Sequence, residues 1–149
     1  MTRLAAILAA LTFVPALALA DYGSATVSEV TSIYDADTFR ADIAGWPPII
    51  GERIPVRVLS INAPELRSRC DTEAEKEREE VLARQAKQFT VEALRSAERI
   101  ELRRLDRGSF FRVMAEVYVD GESLGDQLMT AGLAIPYVEG QGGKAWCGR

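Results

Sequence analysis

The sequence predicts a mainly β fold with helices (α+β): five short strands closed into a barrel, a long helix between the third and fourth strands, and a short helix after the fifth. Three observations predict it. Apolar and polar residues alternate over several short segments, one long segment repeats apolar residues at helical spacing, and turn-forming residues separate these segments. The length of 149 residues is that of one domain, and we expect this domain to occupy residues 21–149.

The first three strands are predicted before residue 60. Residues 24–33 combine Val and Ala with small hydroxylated residues, a composition that suits a strand. Residues 38–43 and 53–58 each alternate apolar with polar residues, which is the pattern of a half-buried strand. Asp35-Ala36-Asp37 is predicted to be the turn between the first two strands, and Asn62-Ala63-Pro64-Glu65 ends the third.

A long helix is predicted over residues 72–97, with Asp71 or Thr72 as its N-cap. The acidic residues before Val81 are expected to be solvent-exposed. The apolar residues are expected to form one stripe along the helix: Leu82, Ala86, Phe89, Ala93 and Ala97.

Two strands and a short helix complete the predicted domain. The fourth strand covers residues 100–105, and the fifth covers residues 111–119, where every second residue is apolar and Phe111 is expected to face the core. Ser123 is predicted to cap a short helix that ends at about Ala131. This order of elements is that of a five-stranded OB-fold barrel. The topology alone assigns no activity, because OB folds bind oligonucleotides, oligosaccharides and proteins.

No histidine occurs anywhere in the sequence. Hydrolases that use Ser–His or Cys–His pairs, and zinc sites built on histidine, are therefore excluded. Any chemistry must come from carboxylates, arginines, lysines or a bound hard cation. The net charge of −4 argues against a passive nucleic-acid binder with a broad basic surface, whereas an enzyme needs only a local positive site.

The first twenty residues have the pattern of a secretory signal peptide. Arg3 gives a positive start, residues 4–14 are nearly all apolar, and Ala18-Leu19-Ala20 is a cleavage pattern. We expect cleavage after Ala20 and a periplasmic or secreted protein. An uncleaved N-terminal anchor is the alternative interpretation.

Cys70 and Cys147 are the two cysteines of the sequence. In an oxidising compartment such a pair is more often a disulfide than a redox or metal site, and two free thiols are the alternative. The bond would close a long loop and contribute roughly 4 kcal/mol to stability through loop entropy.

Four charged residues occupy positions from which they could form one site. Asp37 lies in the turn before the second strand, Glu65 follows the third, and Arg57 and Arg112 lie on the polar faces of the third and fifth. Phosphodiester hydrolysis without histidine needs a carboxylate to hold or deprotonate water, and arginines to bind the phosphoryl oxygens. Glu65 suits the base and Asp37 a metal ion. Each charge taken alone is more often a surface ion-pair partner.

Four segments resemble the staphylococcal nuclease (thermonuclease) family. Residues 33–39 (IYDADTF) resemble its V-x-D-G-D-T motif, and residues 56–65 (VRVLSINAPE) resemble its V-R-L-x-G-I-D-[TA]-P-E motif. Residues 110–115 (FFRVMA) match the strand that carries the family's second catalytic arginine, and residues 132–134 (GLA) match a motif after its second helix. The resemblance covers roughly residues 25–137.

This resemblance implies a calcium-dependent nuclease acting on DNA and/or RNA, in which metal-bound water attacks phosphorus and the 5′-oxygen leaves. It implies that Arg57 and Arg112 stabilise the transition state and that Glu65 is the general base or orients the water. Asp37 and the backbone carbonyl of Ala63 would bind Ca²⁺. We expect the substrate to be single-stranded or denatured and the protein to be a monomer.

Three departures from the family pattern change these expectations. Asn62 stands where the family usually has a second calcium-binding aspartate; its amide can still bind the metal, but we expect weaker binding or an altered metal preference. Phe111 replaces a glycine and is expected to reshape the nucleotide groove. After Tyr137 the sequence lacks the pattern of the long C-terminal helix of the best-known member. Its Trp146-Cys147 ending resembles a shorter bacterial branch, in which a cysteine after the P-E motif could pair with Cys147.

Other functions stay open on the sequence alone. Asn62 and the acidic balance also suit a binding module, an OB-fold domain with weak or no catalysis that binds nucleic acid or protein. A structural protein of an envelope complex is a more distant alternative. Tyr137 is a candidate for stacking on a base, and equally for ordinary packing.

Overall fold

A computed structural model of the chain describes residues 21–149. The predicted signal peptide, residues 1–20, lies outside this range, and its cleavage stays a prediction. None of the helices between residues 21 and 149 combines the length and the apolar character needed to cross a membrane.

Eleven regular elements and one short 3₁₀ turn make up this part of the chain. They are β1 (Ala25–Ile33), β2 (Thr38–Ile43), α1 (Pro48–Gly51), β3 (Ile54–Val58), β4 (Ile61–Asn62), α2 (Glu73–Ser96), β5 (Ile100–Arg107), β6 (Val113–Val119), β7 (Glu122–Ser123), α3 (Leu124–Thr130), β8 (Ile135–Pro136) and the 3₁₀ turn Gly142–Lys144.

Five of the strands close a barrel. Their order is β3-β2-β1-β5-β6, with antiparallel neighbours, and a parallel pairing of β3 with β6 joins the two ends. The closed barrel has α2 between its third and fourth strands and α3 after its fifth. This is the five-stranded OB-type fold that the sequence predicts. Two short strands, β4 and β8, pair with each other beside the barrel.

The core is formed by every second residue of the strands, whose side chains point into the barrel. In β6 the buried residues are Val113, Ala115, Val117 and Val119, and the residues between them are half-buried. Phe39 of β2 is fully buried in the same cluster. Burying one such apolar side chain contributes about 1.5–3 kcal/mol, so the barrel interior is the main source of stability.

The long helix α2 begins where the sequence predicts. The Thr72 side chain accepts a hydrogen bond from the backbone of Glu75, and the Glu75 side chain accepts one from the backbone of Thr72. This capping box satisfies two amides that the first helical turn leaves free. The helix ends at Ser96, next to the predicted boundary.

The face that α2 buries differs from the predicted stripe. The buried residues are Glu79, Ala83, Ala86, Thr90 and Leu94. Only Ala86 belongs to both sets, and the other predicted residues are partly buried along the edge of this face. Small side chains, Ala83, Ala86 and Thr90, lie where α2 packs against the barrel. The Thr90 hydroxyl also donates to the carbonyl of Ala36 at 2.9 Å. The expectation that the acidic half of α2 is solvent-exposed is wrong at Glu79.

The predicted start of the fifth strand is also wrong. The strand β6 begins at Val113, and Phe111 is 88% exposed instead of facing the core. Phe110 and Phe111 have φ values of 59° and 57°, a left-handed conformation that an extended strand does not contain. The β5–β6 ladder ends at the pair Arg107–Val113, so the two phenylalanines form the tip of the connecting turn.

Candidate functional site

Asp37 lies at the end of the turn between β1 and β2, and it is only 3% exposed. Its Oδ1 accepts hydrogen bonds from Arg57 Nη1 at 2.8 Å and from Thr38 Oγ1 at 2.9 Å. Its Oδ2 accepts one from the backbone amide of Ala63 at 3.2 Å. One buried carboxylate therefore holds together β2, β3 and the segment after β4.

The barrel register explains why these groups meet. Thr38 of β2 pairs with Arg57 of β3, so the arginine lies opposite the residue that follows Asp37. The backbone amide of Val58 donates to the carbonyl of Asp37 at 2.9 Å, and Asp35 Oδ1 accepts from the amide of Asp37 at 3.1 Å. The turn is thus fixed by backbone and side-chain bonds together, as is usual for aspartate-containing turns.

Negative charge accumulates at this turn. Burial, and then the neighbouring carboxylate of Asp37, raises the pKa of Asp35 to about 7. The pKa of Glu65 is also raised, first by burial and then by the carboxylates of Asp37 and Glu79, while Arg57 lowers it. These three groups, Asp35, Asp37 and Glu65, form a cluster of carboxylates that repel one another and that a cation would stabilise.

Glu65 lies in the loop that leads from β4 to α2. Its backbone amide donates to Glu79 Oε1 of α2 at 3.0 Å. The hydroxyl of Ser68 donates to the other oxygen of Glu79, and the amide of Ser68 donates to Glu80 Oε1 at 3.3 Å. The position of Glu65 is therefore set by side chains of the long helix.

Arg57 and Arg112 line one groove of about 680 Å³ on the surface of the barrel. Arg104, Arg107 and Tyr137 line the same groove, and Tyr137 is 53% exposed. The strands β3 and β6 run parallel, and Arg57 pairs with Met114. Arg112 precedes Met114 by two residues, so its side chain lies on the same face of the barrel as that of Met114. Four arginines and two aspartates, Asp21 and Asp106, line the groove, so its lining is positive overall and suited to phosphate groups.

Arg112 makes no salt bridge within residues 21–149, and its Nε is buried without a hydrogen-bond partner. Such unpaired buried donors are rare, and a donor beside a groove is available to an acceptor atom of a ligand. Gly108 leaves room for this side chain, since a Cβ there would lie 3.3 Å from Arg112 Nε.

The predicted residues thus fall into two adjoining groups. Arg57, Arg112 and Tyr137 line the groove. The acidic group does not line it, but it is joined to it by the 2.8 Å ion pair between Asp37 and Arg57. Asn62 is buried and precedes Ala63. Because the Ala63 amide donates to Asp37, residues 62 and 63 lie next to the acidic group.

A family model described as staphylococcal nuclease homologue matches residues 55–144. The chain belongs to this family. The match includes Arg57, Glu65 and Arg112, and the family assignment supports a nuclease-type, phosphodiester-cleaving function in general terms. A search of curated proteins found no significant match.

Members of the staphylococcal nuclease family are typically metal-dependent. The Asp37 carboxylate, the Asn62 amide oxygen and the carbonyl of Ala63 are oxygen ligands of the kind that a hard cation takes. In this structure both oxygens of Asp37 accept hydrogen bonds, from Arg57, Thr38 and the amide of Ala63. Burial first, and the neighbouring carboxylate of Asp37 second, raise the pKa values of Asp35 and Glu65, so a bound cation would favour the charged form of both groups.

Among residues 21–149, one group of three metal-ligand types has its ligand atoms within 4.8 Å of one another: Cys70, Glu79 and Cys147, beside the loop that carries Glu65. The two sulfurs form a disulfide, as the sequence predicts, so neither is a thiolate that could bind a metal. For the same reason the contact of 3.4 Å between Cys70 Sγ and Glu79 Oε2 is a packing contact, because the sulfur carries no hydrogen.

Sequence reasoning missed two contributors to the site. Glu79 sits in an acidic run whose composition suits a solvated helix face. Trp146 donates its indole N–H to the carbonyl of Asn62 at 3.2 Å and so joins the C-terminal segment to the site. The sequence did contain a sign of this contact by Trp146. Trp146 precedes Cys147, and the disulfide partner of Cys147, Cys70, follows Glu65 closely, so the bond brings Trp146 near the site.

Proposed function

We propose that the protein is an exported, calcium-dependent nuclease that hydrolyses phosphodiester bonds of DNA, RNA or both. The observation that carries this proposal is the ion pair between Arg57 and Asp37. The pair joins Arg57, which lines the groove and to which we assign phosphate binding, directly to the acidic group. A site that binds phosphate on one side and holds carboxylates on the other can cleave as well as bind.

The two arginines bind the scissile phosphate in this proposal. Arg57 is held by Asp37 and lines the groove, while Arg112 lines the same groove and makes no salt bridge within residues 21–149. Each guanidinium can form two parallel hydrogen bonds to phosphoryl oxygens. These bonds strengthen as negative charge develops in the transition state, which is the condition for catalysis and not only binding.

Glu65 accepts the proton of the attacking water. Its raised pKa makes its carboxylate a better proton acceptor than an ordinary glutamate. The water oxygen then attacks phosphorus, the bond from phosphorus to the 5′-oxygen breaks, and the 5′-oxygen leaves with the electron pair as an alkoxide that takes a proton from solvent. Asp37, Asn62 and the carbonyl of Ala63 would hold Ca²⁺, which would stabilise the charge on the phosphate.

A single-stranded substrate and an extracytoplasmic location complete the proposal. Exposed aromatic side chains at the groove, Tyr137 and the Phe110–Phe111 pair of the adjoining turn, support contact with unpaired bases. The pattern of residues 1–20 and the disulfide both support an oxidising compartment.

The direct test is cleavage of denatured DNA and of RNA by the purified protein, with Ca²⁺ and with a chelator. We expect cleavage with Ca²⁺ that the chelator abolishes. If neither DNA nor RNA is cleaved with any of the metals tested, the proposal is contradicted.

Export is tested separately, by expressing the full chain and sequencing the N-terminus of the secreted product. We expect its first residue to be Asp21.

A binding module is the second candidate, and Asn62 is the observation that favours it. The residue is buried in the metal-binding segment and brings no negative charge. If the enzyme is merely weakened by this amide, Asn62→Asp should strongly increase calcium-dependent cleavage. If neither form cleaves while both bind single-stranded DNA in a mobility-shift assay, the binding module is the better description.

A further inference from the structure

Glu79 is one of two buried carboxylates in the described chain, with Asp37 as the other, and each is 3% exposed. Asp37 is paired with Arg57, whereas no salt bridge reaches Glu79 within residues 21–149. Burying a charge without an ion pair is costly. A residue in this position needs hydrogen bonds that offset the cost.

The hydrogen bonds of Glu79 all go to one loop. Its Oε1 accepts from the backbone amide of Glu65 at 3.0 Å, and its Oε2 accepts from the hydroxyl of Ser68. Cys70 Sγ packs against Oε2 at 3.4 Å. Glu79 therefore contacts three residues of the segment 65–70, and Glu65 is the first of them.

The same helix also fixes the acidic turn. Thr90 of α2 donates to the carbonyl of Ala36, which precedes Asp37. Glu79 and Thr90 lie eleven residues apart, which is about three helical turns, so both project from the same face of α2. The helix thus sets the separation between the turn that carries Asp37 and the loop that carries Glu65.

We propose that Glu79 is a positioning residue for the reaction, which fixes the main chain of Glu65 so that its carboxylate faces the attacking water. This inference rests on the proposed nuclease function. Glu79 itself does not contact the groove, where the arginines bind the phosphate. Its loss is therefore expected to lower kcat while leaving KM nearly unchanged.

Two conservative variants separate position from charge. Glu79→Gln keeps the side-chain length and one carbonyl oxygen that can accept from the amide of Glu65. Glu79→Asp keeps the charge, but its shorter side chain cannot reach both Glu65 and Ser68. Glu77→Gln is the matched control, because Glu77 is an exposed glutamate of the same helix.

The experiment measures kcat and KM on denatured DNA for these variants, together with the melting temperature and the hydrogen exchange of the Glu65 amide. We expect Glu79→Asp to lose about 10- to 100-fold in kcat, as is typical when a supporting hydrogen bond to a site group is lost. Its KM should stay within about twofold, and the Glu65 amide should exchange faster. Glu79→Gln should keep kcat within about threefold of the control.

Equal, near-control kcat values for the Asp and Gln variants would overturn the inference, and so would a Gln variant as impaired as the Asp variant. Glu65→Gln and the unmodified protein, assayed in parallel, report on the proposed function itself. If the unmodified protein does not cleave, the proposed function fails. If it cleaves and depends on Glu65 but not on the geometry at position 79, only the positioning role fails.

Discussion

Asp37 and Arg57 form the contact on which the site depends. The Asp37 carboxylate is buried and also accepts from the amide of Ala63, whereas the Arg57 guanidinium is partly exposed at the groove. Removing the carboxylate would leave the arginine and the amide without their acceptor, so the contact has a structural as well as a chemical role.

Asp37→Ala is expected to lower the free energy of unfolding by about 2–4 kcal/mol, because it removes one partner of a largely buried pair. The comparison is Glu116→Ala, which breaks the exposed pair with Arg104 and should cost less than about 1 kcal/mol. Chemical denaturation measures both. Equal losses in the free energy of unfolding would show that the buried pair contributes no more to stability than the exposed one.

Arg112 should matter for activity far more than for stability. It forms no salt bridge within residues 21–149, so Arg112→Lys is expected to leave the melting temperature nearly unchanged. The loss of bidentate geometry should lower kcat by about 10²- to 10³-fold, the usual effect of removing one transition-state donor. Arg104→Lys, at another position of the groove, is the control. A kcat for Arg112→Lys equal to that of the control would exclude the assigned role.

Among single residues, the sequence indicated Asp37 and Arg57 as members of one site, and the structure brings these two into contact, but the sequence did not indicate the residues that hold them in place. Asp37 and Arg57 could be placed together because a turn and a strand register bring them close. Glu79 could not, because its burial depends on how the loop 65–70 folds over α2, and composition alone favours exposure for an acidic helix segment.

Among the elements, the turn between β5 and β6 is the most unusual. Phe110 and Phe111 are 93% and 88% exposed, and both have positive φ values. Residues other than glycine are strained in this conformation. The turn also borders the groove through Gly108 and Ser109, and we propose that its aromatic side chains contact a nucleic-acid strand bound there.

Phe111→Gly tests this turn. We expect the substitution to raise the free energy of unfolding by about 0.5–1 kcal/mol, since glycine adopts positive φ without strain. The same change should increase KM for single-stranded DNA, because a stacking surface is lost. Tyr34→Ala, at an exposed aromatic residue outside the groove, should leave KM unchanged. A KM unaffected by Phe111→Gly would remove this turn from the substrate site.

The ends of a helix or strand could be predicted from the sequence where residues close in sequence determine them. The capping box at Thr72 begins α2, and the side chain of Ser123 accepts from the amide of Asp126 to begin α3. The buried face of α2 and the exposure of Phe111 were not predictable. They depend on the barrel surface and on the end of the β5–β6 ladder, which are contacts between distant parts of the chain.

In the molecule as a whole, the closure of the barrel and the C-terminal segment are both connected to the site. The barrel closes through β3 and β6, which carries Arg57 to the face of Arg112. The disulfide between Cys70 and Cys147 spans 77 residues and ties the C-terminal segment to the loop that follows Glu65. Trp146 reinforces this connection through its hydrogen bond to the carbonyl of Asn62.

Replacing both cysteines by serine should lower the free energy of unfolding by about 2–5 kcal/mol, because the unfolded chain then regains the freedom that the cross-link removes. Urea unfolding of the double variant and of the oxidised protein measures the difference. Reduction of the unmodified protein should reproduce it. An unchanged unfolding midpoint would mean that the C-terminal segment is held by its other contacts alone.

The role of Glu65 is tested most directly by the rate of calcium-dependent cleavage of denatured DNA by the unmodified protein, Glu65→Gln and the control Glu77→Gln. We expect the control to cleave like the unmodified protein. Glu65→Gln should lose at least about 10²-fold in rate, since general base catalysis contributes about 10²–10⁴-fold. Cleavage by Glu65→Gln at the rate of the unmodified protein would show that this carboxylate does not activate the water.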